Sequence, residues 1–121
     1  MATYVEINNN QYPASITGRL NDKDWNNRES KAIRLEMTYA DAVATFVDNV
    51  SWNIIQENEV QREVRDEEGN ISFKMVTETE TYDNSEYSIA GDIVDHRDGT
   101  VTVKMGKPTA EELLIMLEEV M

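Results

Sequence analysis

The chain has 121 residues, with 24 acidic and 11 basic side chains and a formal net charge of −13. A chain this acidic is poorly suited to the phosphate backbone of nucleic acid, which is bound by Lys and Arg, and it would be repelled by an anionic membrane. There is no cysteine, which excludes disulfides, thiolate metal sites and cysteine nucleophiles together. The length fits a single domain, residues 1–121, able to bury its own core.

Elements can be read in chain order from the periodicity of apolar residues. Val5 and Ile7, then Tyr12, Ala14 and Ile16, alternate with polar neighbours around Asn8-Asn9-Asn10, which predicts a hairpin. Pro13 lacks an amide donor and predicts an edge position or an irregular start for the second strand. Gly18 marks an expected bulge or bend. Leu20 to Ser30 reads as a polar connector around Trp25, and Ile33, Leu35 and Met37 as a third strand.

Thr38, followed three residues later by Asp41, resembles a capping box. Tyr39, Ala42, Val43, Phe46 and Val47 then form one stripe, predicting a short helix over 39–47 that ends at Asp48-Asn49. A long hairpin is expected from Trp52 to Thr81, turning at Asp66-Glu67-Glu68-Gly69-Asn70. Few apolar residues flank that turn, so the tip should project from the body. Another strand pair, with Tyr87 to Val94 and then Thr100 to Met105 in alternation, turns at Asp95-His96-Arg97-Asp98-Gly99. Thr109 and Glu112 form a capping box for an amphipathic C-terminal helix. That helix carries glutamates at both ends, so packing rather than electrostatics is expected to hold it. The fold class is therefore α+β. It is mainly an antiparallel sheet or partly open β-barrel of about six or seven strands, with one short central helix and one C-terminal helix over a face or end.

Residues that could carry chemistry are few. His96 is the only histidine and lies in a turn with no nucleophile or pocket implied, so it reads as a surface residue. Asp92, Asp95 and Asp98 are spaced three apart before Gly99, yet they lack the alternation and closing glutamate of a calcium loop; they read as turn-forming residues rather than metal ligands. No phosphate loop or nucleophile elbow is present. Catalysis is not expected, nor is any cofactor, metal or small-molecule substrate. Contact residues are the better candidates. Trp25 has no apolar neighbour in its connector and suits a partner-facing anchor or local packing over the sheet. Val60, Val64, Ile71 and Phe73 lie on the projecting hairpin.

Two stretches carry a resemblance. One runs from Ser30 to Ala42 and on through Phe46-Val47-Asp48; the other runs from Tyr82 to Tyr87, through Ala90-Gly91-Asp92-Ile93, and from Asp95 to Lys107. Together they resemble small uncharacterised proteins of prophages of Gram-positive gut bacteria, encoded among structural genes of siphophage type. The resemblance implies a non-enzymatic virion or assembly component of the tail or neck region. Protein partners, self-association among them, would dock on the 52–81 hairpin. It implies the host cytoplasm during assembly, with or without entry into the finished particle. Secretion by a signal peptide is not expected, because Met1 to Asn10 has no basic stretch followed by an apolar run. The net charge supports a second expectation, an acidic DNA mimic that inhibits a host nucleic-acid-binding protein.

Overall fold

The computed structural model describes residues 2–120. Its strands are β1 (Ala2–Ile7), β2 (Asn10–Asp22), β3 (Arg28–Glu36), β4 (Trp52–Arg65), β5 (Ile71–Asp83), β6 (Ile89–Asp95) and β7 (Thr100–Gly106). Helix α1 spans Tyr39–Thr45 and helix α2 spans Ala110–Val120. All seven strands form one antiparallel sheet in the order β5-β4-β1-β2-β3-β7-β6, which is not closed. The expected class is borne out in its open-sheet form.

Register explains the core. Ile54, Val5 and Tyr12 stand opposite one another across β4, β1 and β2, and Ile16, Ile33, Val103 and Ile93 do so across β2, β3, β7 and β6. Opposed residues share a face, so both rows lie on one side of the sheet. They meet in one cluster with Trp52, Tyr87, Ala42 and Phe46, which requires the sheet to curl around that side. Helix α1 fills the concavity with Ala42 and Phe46, and its start is capped by Thr38, whose Oγ1 accepts the Asp41 amide at 3.1 Å. The segment before β6 crosses the same space: Trp52 Nε1 donates to the Tyr87 carbonyl at 3.1 Å, and the two rings meet edge to face.

The turns follow the chemistry of their residues. Asn8 and Asn9 both take positive φ, the geometry of a two-residue hairpin turn. Gly99, at φ 90°, supplies the same backbone freedom between β6 and β7.

Several expectations need correction. The polar connector is shorter than Leu20 to Ser30, because β2 continues to Asp22 and β3 begins at Arg28. Pro13 does not mark an edge: β2 lies inside the sheet, and Pro13 comes one residue before its pairing with β3 begins at Ala14. The irregularity near Gly18 falls between Arg19 and Asp22 instead. Helix α1 stops at Thr45, and its apolar stripe does not all enter the core. Among its described side chains, helix α2 has little packing. Leu113, Leu114, Ile115, Met116 and Leu117 are each between 49% and 61% exposed.

Candidate interaction surfaces

Two polar clusters fix the body from which the contact elements extend. On the convex face, Asp22 is buried and accepts from Lys104 Nζ at 2.8 Å and Ser30 Oγ at 3.1 Å. The Lys104 hydrogen bond, helped by Ser30, holds the Asp22 carboxyl below the usual carboxylate range. Trp25 lies over the same face. A Cβ on Gly91 would come within 2.6 Å of its ring, and one on Gly106 within 2.8 Å. The Arg28 guanidinium sits 4.7 Å from the ring centroid. Trp25 is thus half-buried against its own sheet, in the local-packing position.

Arg28 also anchors α2. Its Nη1 and Nη2 donate to the two Glu112 carboxylate oxygens at 2.7 and 3.1 Å, and Nη1 also reaches the Lys107 carbonyl at 3.1 Å. Glu112 accepts the Thr109 amide at 2.8 Å and gives its own amide to Thr109 Oγ1 at 3.3 Å, closing the capping box. One carboxylate therefore caps its helix and pins it to the sheet. Arg28, then the Thr109 amide, lower the Glu112 carboxyl from its usual 4.5 to about 2. Beyond that latch, α2 presents apolar side chains around its circumference, a pattern usual for a helix that is covered.

At the concave end, Tyr87 donates its hydroxyl to Glu29 and lies between two cations, with Lys31 Nζ 4.5 Å and Lys107 Nζ 5.0 Å from the ring centroid. Burial, then the Glu29 carboxylate, raise the Tyr87 hydroxyl, while the Tyr87 hydrogen bond lowers Glu29. These contacts tie β3, the end of β7 and the segment before β6 together.

The principal contact element is the β4–β5 ribbon. Among the described residues, β1 pairs with β4 only up to Glu57. From Asn58 to Arg65 the hairpin continues as two strands alone, roughly 25 Å at about 3.3 Å per residue. Residues 61–75 are all exposed. Pairing divides the expected contact residues between two faces. Val60 and Val64 share one with Val76, while Ile71 and Phe73 share the other with Met75. Ile71, Phe73 and Met75 are between 52% and 66% exposed and form an unbroken apolar stripe on an edge strand. Met75 belongs to this site by the same period-two spacing that singles out Ile71 and Phe73.

The ribbon's acidity is not a uniform row. Arg62 pairs with Glu78, and Arg65 Nε lies 3.4 Å from Glu63. Asp66 is consumed in the turn, where it accepts the Glu68 and Asn70 amides at 3.0 and 2.8 Å. The other acidic group behaves alike: Asp95 accepts the Arg97 amide, Asp98 accepts the Thr100 amide and pairs with Arg34 at 3.2 Å. No cluster of three or more potential metal ligands occurs among the described residues. His96 is exposed, with Nε2 2.7 Å from Thr102 Oγ1. No helix among the described residues is long and apolar enough to cross a membrane. Comparison with known proteins finds no match to a family model, a curated protein or a solved structure.

Proposed function

We propose that this chain is a non-enzymatic assembly component that makes protein–protein contacts through the β4–β5 ribbon. The tail or neck of a phage or prophage particle is the setting that the sequence resemblance suggests, assembled in the host cytoplasm. The observation that carries the proposal is the Ile71-Phe73-Met75 stripe on an edge strand that extends beyond the body. Such a strand combines unpaired N–H and C=O groups with apolar side chains, the two components of β-strand addition. The DNA-mimic reading has less support, because two of the ribbon's carboxylates, Glu78 and Glu63, are paired with Arg62 and Arg65, and Asp66 is turned into the hairpin turn.

The register supplies a clean test. Val60 and Val76 are partners, so an Asn-Gly turn replacing residues 61–75 closes a shorter hairpin without moving the body. A photo-crosslinking residue at Phe73 of the full chain, expressed in its host, should capture a protein. The same residue at Asn9, exposed in the β1–β2 turn, should not. The trimmed variant should fold with the same core and lose the contact. Equal capture from both positions, or none from Phe73, would sink the proposal.

A further inference from the structure

Helix α1 has more apolar surface than the core uses. Ala42 and Phe46 are buried, whereas Tyr39, Val43 and Val47, on an adjoining line of the helix, are between 45% and 51% exposed. They form one wall of a groove of about 790 Å³ whose other wall is β6, from Ala90 to Val94. Strand β6 is the second open edge of the sheet. The His96 amide donates to the Thr100 carbonyl on the β7 side at 3.2 Å. Alternation along an antiparallel ladder then turns the N–H and C=O groups of Ile93 and Asp95 outward. At the other end of the groove the Ala90 amide is already satisfied by Asp48 Oδ1, at 2.9 Å. The groove thus offers backbone hydrogen bonds along one side and an apolar wall along the other. That combination selects an extended strand rather than a helix or a small molecule.

We propose that the occupant is the β5 ribbon of a second copy of this chain, so that copies join head to tail through β5 of one and the β6–α1 groove of the next. The inference rests on the ribbon being the contact element. Three features match. Both partners are open edges of the same sheet. Tyr39 and Val43 are one i,i+4 step apart, about 6 Å along a helix, and Ile71, Phe73 and Met75 recur about every 6.7 Å along a strand. The segment from Ile71 to Val76 has Lys74 as its sole charge, while the groove carries Asp48 and Asp92 and no cation. A contact between unlike surfaces leaves one of each free on every pair, so it continues into a ring or a filament.

The test uses the full chain and light scattering with size-exclusion chromatography. The wild type should form species larger than a dimer at about 100 μM, and more strongly as salt rises and screens repulsion between two chains of charge −13. Phe73→Glu should remove the ribbon and Val43→Glu the groove, each weakening self-association by about 30-fold, the scale of an interface hot spot. Met75→Glu and Val94→Lys repeat the two lesions at exposed positions if either first variant misfolds. Mixing Phe73→Glu with Val43→Glu should restore a one-to-one dimer and nothing larger, since only one intact pair of surfaces remains. A wild type that stays monomeric across the salt range overturns the inference, as does assembly indifferent to Val43→Glu and Val94→Lys. Failure of the mixture to pair also overturns it. Capture of a different protein from Phe73, with a monomeric wild type, would refute self-docking and leave the ribbon's contact role standing.

Discussion

Glu112→Gln isolates the charge that holds α2 to the sheet. The substitution keeps shape and a carbonyl acceptor for the Thr109 amide, and removes the ion pair with Arg28. A carboxyl held at about 2 instead of 4.5 corresponds to roughly 3 kcal/mol of differential interaction. The Glu112 side chain is 39% exposed, although Arg28 is only 3% exposed. Solvent screening at such a site reduces the figure to about 1.5 kcal/mol. Because α2 has little else to hold it, the loss should appear as local opening rather than global unfolding. Amides of the first α2 turns, such as Leu113, whose bond runs to the Thr109 carbonyl, should exchange with solvent hydrogen about tenfold faster at neutral pH. Amides of β3 and β7 should not change. The folded carboxyl lies below its unfolded value, so the wild-type advantage is complete above about pH 4.5, shrinks below it and is lost as pH falls through about 2. Unchanged α2 exchange, equal acceleration in the core, or a difference as large at pH 2 as at neutral pH would each refute the latch.

Other outcomes follow from packing. Ile33→Ala empties a fully buried position and should cost about 3 kcal/mol in urea unfolding, whereas Val64→Ala, on the exposed ribbon, should cost under about 0.5 kcal/mol. Gly91→Ala drives a Cβ into the Trp25 ring and should cost about 1–3 kcal/mol. Combining it with Trp25→Ala should cost less than the sum of the two, because the clash is gone. Tyr87→Phe removes the hydroxyl that Glu29 accepts from, so the Glu29 carboxyl should titrate closer to its usual value by NMR.

The strands were legible where one face is apolar and the other polar. Val5 and Ile7, Ile33 and Leu35, and Val101 to Met105 meet the core through period-two spacing alone. What periodicity missed is polar. Asp22, Arg28 and Ser30 are buried: Ser30 and Lys104 donate to Asp22, and the Arg28 Nη groups donate to Glu112 and the Lys107 carbonyl, while Arg28 Nε has no partner among the described residues. Those partners are distant in sequence, so the stretch looked like a solvated connector. Trp25 was ambiguous for the same reason, since its neighbours Gly91 and Gly106 lie on other strands. The ribbon's alternation located Val60, Val64, Ile71 and Phe73. Only the register shows that they occupy opposite faces and that Met75 extends the second. For α1, the helical stripe was visible, but its division between core and groove depends on where β6 lies.

Arg28 touches both the Trp25 ring and the Glu112 carboxylate. The chain's other tryptophan, Trp52, lies in the core away from that contact. The molecule thus carries two optical reporters with separate duties. Release of α2 would alter indole emission from Trp25 while Trp52 stayed dark to solvent quenchers, and only global unfolding would expose both.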